Sequence, residues 1–416
     1  MKNKFLPGFL AGLAGALLIF AIAFSVYGPR IEGKEMEQIT EIEGQQKVAT
    51  AKDTVDSKKE IMNKINKLEA LIDQYYMEDV DQQDIADGIY KGLLQSLDDP
   101  YSCYYTEKEY KALLESSSGI YCGIGATVSQ NVNTGIISIV KPFVKGPAHE
   151  AGILPGDIVY KVNGEEVTGK DLTEVVSKIK GEEGTKAKIT IIREGENDPI
   201  DYSIPRKMIE VPTIEYEMLD NKIGYIAVSE FDEVTAEQFS KAIKDLDSQG
   251  QVGLIVDVRN NPGGLLSTVV SMLDRMLPKG LIVYTEDKYG KKEEEFSDDK
   301  EKFNKPLVVL INGNSASASE IFAGAIQDYK LGTIVGTTSF GKGIVQSIIP
   351  LTDGTAIKVT VSKYYTPKGK NIHGIGIKPD VEIELKEELK KEVIIDKKED
   401  NQLQKGIEII NSKLKK

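Results

Sequence analysis

Residues 306–330 read PLVVLINGNSASASEIFAGAIQDYK. The apolar run at the start predicts a buried strand, the Asn, Gly and Ser residues after it a polar turn, and the remainder a helix. A strand that turns directly into a helix presents a side chain at the helix amino terminus, where free amides and the dipole favour developing negative charge. Upstream, VGLIVDVRNNPGG (252–264) predicts a second buried strand, broken by a loop in which Gly263 and Gly264 permit backbone conformations that other residues avoid. Downstream, LGTIVGTTSFGKG adds a third strand and brings in Lys342. Together these stretches predict a mixed α/β core around a sheet.

The segment GTTSFGKG (336–343) looks at first like a phosphate loop. That pattern requires Ser or Thr directly after the lysine, to ligate Mg²⁺, and the position is Gly343. Three serines stand near the strand-to-helix turn: Ser315, Ser317 and Ser319. The only histidines, His149 and His373, are ill placed for Ser-His-Asp, so a serine-lysine pair is the available nucleophile system. The lysine must then be neutral, which burial among Phe340, Ile344 and Val345 would favour by penalising the ammonium form. Taken alone, a lysine in such a loop reads first as an exposed cation.

The 416-residue chain exceeds what one hydrophobic core usually supports, and its make-up, 40% hydrophobic and 28% charged, is that of a globular protein. A net charge of -13 disfavours nucleic acid as a partner. Cys103 and Cys122 fit no zinc spacing, and the histidines supply no HExxH or H-x₃₋₅-H pair, so neither metal nor cofactor is expected. An exported chain could join the two cysteines, and their spacing leaves that open.

Between Lys4 and Arg30 no residue is charged, so residues 5–29 are long enough for an apolar helix to cross a bilayer. Lys2 and Lys4 precede the run, which directs the rest of the chain out of the cytoplasm. The expectation is a signal anchor over 1–30 that attaches the chain to a membrane; the alternative is a signal peptide cleaved near Ala21-Ile22-Ala23. Residues 31–53 are polar and aperiodic, a stalk. From about Thr54, Ile61, Ile65, Leu68, Ile72 and Tyr75 form a helical stripe, a second helix is expected over 84–97, and Leu403, Ile407, Ile410 and Leu414 form a similar stripe near the end. These stripes read either as core packing or as a homodimer surface. Residues 284–305 are charged enough to be a solvated excursion.

Residues 117–206 form a distinct unit. Strand-like runs recur at GATVS, GIISIV, DIVYKVNG, AKITIIRE and DYSIPRK, with helical segments at PAHEAGI and DLTEVVSKIKG. Tyr121-Cys122-Gly123-Ile124-Gly125 and GPAHEAGILPGDIVYKVNGEEV resemble the carboxylate loop and the following segment of a PDZ domain. The resemblance implies that Gly123, Ile124 and Gly125 offer amides to a peptide's terminal carboxylate while the peptide adds a strand to the sheet edge.

VDVRNNPGG, NGNSASASEIFAGAIQD and TTSFGKGIVQ, in this order after a PDZ-like unit, resemble the carboxyl-terminal processing peptidases, or tail-specific proteases. The similarity runs from about 60 to 382, with GLLQSLDDPYSCY upstream and KYYTPKGKNIHGIGIKPDV downstream. It implies an α/β protease core of the crotonase-like or ClpP-like type. It also implies Ser317 as nucleophile, Lys342 as general base, Gln346 orienting the lysine, and the amides of Gly263 and Ala318 as oxyanion donors; Asp328 falls at a family-typical acidic position and reads as structural support. The neighbouring serines have an alternative use in capping the helix. The expected organisation is a helical region over 54–116, a PDZ domain over 117–206, a protease core over 207–382 and a helical tail over 383–416. The expected activity is that of an extracytoplasmic serine endopeptidase acting on proteins with apolar carboxyl-terminal tails. A PDZ adaptor with a silent protease domain is the rival reading, against which the retention of Ser317, Lys342 and Gln346 counts.

Overall fold

A computed structural model describes residues 57–415, except 299, 393 and 394. The expected anchor and stalk therefore lie outside the described residues. Among the described residues no helix is long and apolar enough to cross a membrane.

The described chain opens with helices α1 (Ser57–Tyr75) and α2 (Gln82–Gln95), then β1 (Cys103–Tyr105) and α3 (Glu107–Ser118). A reciprocal cap starts α3: Thr106 N donates to Glu109 Oε2 at 2.8 Å and Glu109 N to Thr106 Oγ1 at 3.3 Å. Gly119, at φ 66°, ends it.

The next unit comprises β2 (Ile120–Gly123), β3 (Ala126–Gln130), β4 (Ile137–Pro142), α4 (Pro147–Ala151), β5 (Ile158–Val162), β6 (Glu165–Glu166), α5 (Leu172–Ile179), β7 (Lys186–Ile192), β8 (Ile200–Pro205) and β9 (Lys207–Glu210). Strands β3-β4-β5-β7-β8 make an antiparallel sheet around a core of Ile137, Ile139, Val159, Val175, Ile189 and Ile204. The β2–β9 ribbon ties the entry of the unit to its exit. Cys103 on β1 and Cys122 on β2 are not joined.

The remainder contains β10 (Ile214–Leu219), β11 (Ile223–Val228), α6 (Thr235–Ser248), β12 (Gly253–Asp257), α7 (Leu266–Asp274), β13 (Gly280–Asp287), β14 (Lys292–Ser297), β15 (Leu307–Ile311), α8 (Ala318–Asp328), β16 (Thr333–Gly336), β17 (Ile344–Pro350), β18 (Ala356–Tyr365), β19 (Val381–Glu382) and α9 (Asn401–Leu414). Six strands in the order β10-β11-β12-β15-β16-β19 form the central sheet, parallel from β11 onward. The unbroken apolar sequences of β12 and β15 follow from burial on both faces. Phe239 of α6, Met272 of α7 and Phe322 of α8 pack in the core on one face. Leu403 and Ile410 of α9 pack with Ile255, Val308 and Leu310 on the other. Gly406 lets α9 come close, since a Cβ there would sit 3.2 Å from Val308. Leu403, Ile407 and Ile410 of the carboxyl-terminal stripe are thus core packing within one chain, while Leu414 stays exposed.

A second sheet runs β1-β18-β13-β14, with β17 also on β18. Through β1 the amino-terminal region is stitched to the core, Cys103 lying opposite Lys358. The stretch expected as a solvated excursion forms much of the β13–β14 hairpin instead. Its inner strand pairs with β18, and Tyr284 stacks on Tyr365 with ring centroids 4.7 Å apart. The charged residues Lys292–Glu295 stay exposed on the outer strand, so charge there marks a solvated face, not the absence of structure.

Candidate active site

Ser317 is the first residue of the turn into α8, at φ 54° and ψ -114°, a left-handed conformation costly for serine. The residue is 5% exposed. Its neighbours hold this geometry. Ser315 Oγ donates to Val258 O at 2.7 Å and Ser319 Oγ to Asn261 O at 2.9 Å, so both pin the turn to the loop after β12 and do not cap the helix. Tyr364 OH donates to Ser317 O at 3.1 Å from β18.

Lys342 is wholly buried. Burial pushes its pKa down to about 7, the nearby Lys358 adds to that shift, and Asp99 and Glu320 oppose it. The expected apolar cover is only partly realised: Ile344 is buried, but Phe340 is 56% exposed. Tyr101, from the DDPYS turn ahead of β1, supplies cover in its place, with Lys342 Nζ 4.5 Å from its ring centroid. Gln346 is buried on β17, where Nε2 donates to Thr360 Oγ1 at 3.2 Å and Oε1 has no hydrogen-bond donor.

What joins the serine and lysine backbones is Glu320, a residue the sequence reading missed. Its Oε2 accepts from Ser317 N at 2.9 Å and from Lys342 N at 2.8 Å, while Oε1 accepts from Gly341 N at 2.7 Å and Ser339 Oγ at 2.5 Å. Burial raises the carboxyl pKa, and these bonds pull it back. The signal was present in sequence: Ser317-Ala318-Ser319-Glu320 is a Ser-x-x-Glu cap pattern.

Gly263 backs directly on the serine, for a Cβ there would lie 2.8 Å from Ser317 Cβ. Its amide donates to Asn261 Oδ1 at 2.8 Å, so it can serve an oxyanion only after releasing that bond. Among the described residues no hydrogen bond engages the amides of Ala318 or Gly264. Beside Ser317, Leu266, Ile321, Ile344 and Val345 line a small cavity of about 10 Å³, room for about one water molecule. Asp328 stands apart: Oδ2 accepts from Lys368 N at 2.9 Å and supports the turn after β18. Among the described residues no group of three or more His, Cys, Asp or Glu is placed to hold a metal ion.

The groove between β3 and α5 is a second cavity, of about 290 Å³, with Ile124, Ala126, Val128, Val176 and Ile179 among its walls. Gly125 has φ 73°, and its carbonyl accepts from Phe143 N at 2.9 Å. The Tyr121 hydroxyl, its pKa pushed up to about 12 by burial, is approached by the amides of Ala126 and Gly125.

Family models match in three places: peptidase family S41 over residues 222–383, a PDZ domain over 140–193, and the N-terminal domain of the activating protease CtpB over 23–109. The carboxy-terminal processing protease CtpA of Bacillus subtilis is 42% identical over 80% of this chain and 70% of its own. CtpB of the same organism is 40% identical over 77% of this chain and 68% of its own. The chain belongs to peptidase family S41, the carboxy-terminal processing proteases. As a member it is a serine-type peptidase that carries a PDZ domain. The crystal structure of a candidate S41 protease from Bacteroides fragilis covers 88% of this chain and 99% of its own at a TM-score of 0.51 and 16% identity, a likeness of fold.

Proposed function

We propose that Ser317 is the nucleophile and Lys342 the general base of an endopeptidase that selects proteins by their carboxyl-terminal tails. The observation that carries this reading is the buried Glu320 carboxylate, whose single oxygen bonds the backbones of both residues. The neutral Lys342 amine takes the proton of Ser317 Oγ as that oxygen attacks the scissile carbonyl. Ala318 N–H and an amide of the Gly263-Gly264 turn receive the oxyanion. The lysine ammonium then protonates the leaving amine, which leaves an acyl-enzyme; a water that gives its proton to the same lysine releases the product. Gln346 Oε1, a buried acceptor with no donor of its own here, is the group to which the amine turns during the reaction. The PDZ groove takes the tail as an added strand, with its carboxylate displacing the Tyr121 hydroxyl and an apolar last side chain entering among Ile124, Val176 and Ile179. We place this activity outside the cytoplasm, on a chain held to the membrane by residues 5–29, because that run is uncharged and follows Lys2 and Lys4.

The test is cleavage of an unstructured protein with an apolar tail. Ser317→Ala and Lys342→Ala should each lower kcat by about 10³-fold or more, and the double variant should be little worse than either, because the two groups act as a unit. Gln346→Ala should cost less, since it exchanges no proton. Substantial turnover by Lys342→Ala at neutral pH would refute the assignment.

A further inference from the structure

The tail groove has a wall that does not belong to the PDZ unit. The loop after β11 adds Glu230 and Asp232 to the lining of the 290 Å³ cavity, and Glu115 of α3 stands beside them. Asp232 is 5% exposed. Among the described residues no hydrogen bond or cation reaches either carboxylate: burial acts on Glu230, and burial and then the charges of Glu230 and Glu233 act on Asp232, all in one direction. Glu115 differs, because it is paired at 2.6 Å with Lys180, the residue that follows α5, and that lysine also lies over the Tyr121 ring. The cavity therefore carries one lysine against three carboxylates, in a largely apolar space where an uncompensated charge is expensive. A tail brings a fourth carboxylate. What Glu230 and Asp232 lack is a cation.

We propose that Glu230 and Asp232 form a second recognition point in the tail groove, one that takes a lysine or arginine side chain upstream of the tail's apolar last residue. The long alkyl stem of either residue suits the apolar walls of Ile124, Ala126 and Val176, and its charged head meets the two carboxylates. This rests on the reading that the PDZ groove receives substrate tails. With the basic head in place both carboxylates ionise, so binding releases protons; the other titratable groups around them are Glu115, Lys180, Tyr121 and Glu233, of which the first two are already paired.

The test uses the full chain carrying Ser317→Ala, so that tails bind without being cut, and fluorescence anisotropy with labelled decapeptides ending in an apolar residue. A single lysine is moved through the six positions before the last residue and compared at each with glutamine; an amidated copy of every peptide is included. The expected result is at least one position where lysine binds about tenfold or more tighter than glutamine. That advantage should vanish in Glu230→Gln or Asp232→Asn, isosteric changes under which the glutamine peptide must still bind, as proof that the groove is intact. Equal binding of lysine and glutamine at every position, with free acids still preferred to amides, would overturn this inference alone. A lysine advantage that survives both variants would overturn it too, by moving recognition to Glu115. Equal binding of acids and amides would overturn the tail-groove reading beneath it as well.

Discussion

At the scale of single residues, the proposed base Lys342 is tuned by groups from three parts of the chain. Lys342 is driven towards its neutral form first by burial and then by Lys358, itself buried on β18 with its own pKa lowered by burial. The folded value of about 7 lies below the ordinary 10.5, so the active, neutral amine forms as pH rises through about 7, and activity should climb through that point and level off. Lys358→Met removes a neighbouring positive charge and should move the inflection of kcat against pH upwards; Tyr101→Ala admits water to Lys342 and should move it the same way. Unchanged profiles in both variants would show that neither group sets the value. Sequence pointed to the lysine but misnamed its cover: Phe340 is its near neighbour in the chain, yet Tyr101, more than 200 residues away, is the ring over Nζ.

At the scale of elements, the site is a junction between the start of α8 and the loop before β17, and Glu320 is its joint. Four donors converge on that carboxylate, three of them backbone amides that have no other acceptor. A buried donor left without an acceptor costs about 1–3 kcal/mol, so Glu320→Ala should destabilise the chain by about 3 kcal/mol or more and abolish cleavage, with Glu320→Gln in between. Denaturant unfolding followed together with peptide cleavage measures both; a Glu320→Ala chain of wild-type stability and activity would contradict the role. The strand-turn-helix around Ser317 was legible because each part is local: an apolar run, a polar turn, a helix. The hairpin at 280–297 was not, because its ladder partner on β18 lies far along the chain, Tyr284 pairing with Tyr365, and nothing in its own charged sequence names that partner.

At the scale of the whole molecule, the loop that lines the tail groove also touches the active site. Phe231, between Glu230 and Asp232, donates from its amide to Gly263 O at 2.9 Å and accepts from Leu265 N at 2.7 Å, so the segment that lines the groove is hydrogen-bonded to the Gly263-Gly264 turn beside Ser317. The amino-terminal region joins the same body through β1, while the stripe residues Ile61, Leu68, Ile72 and Tyr75 of α1 face outward. The proposed anchor predicts that the full chain sediments with membranes and resists alkaline extraction, and that a protease added from outside the cytoplasm removes everything beyond the stalk. Release of the full chain into the soluble fraction without cleavage near residue 23 would refute anchoring.

Sequence alone determined the family and the order PDZ then protease, and it pointed to Ser317 and Lys342 as the proposed reacting pair, because these rest on short motifs whose chemistry depends on residue type and local spacing. Only the tertiary structure decided what surrounds them: Tyr101 over the lysine, Glu320 between the two backbones, Asn261 on the amide of Gly263, and two carboxylates of the core facing the tail groove. The physical reason is that burial and desolvation are set by which distant segments come together, and a one-dimensional pattern does not carry that information when the partners lie tens to hundreds of residues apart.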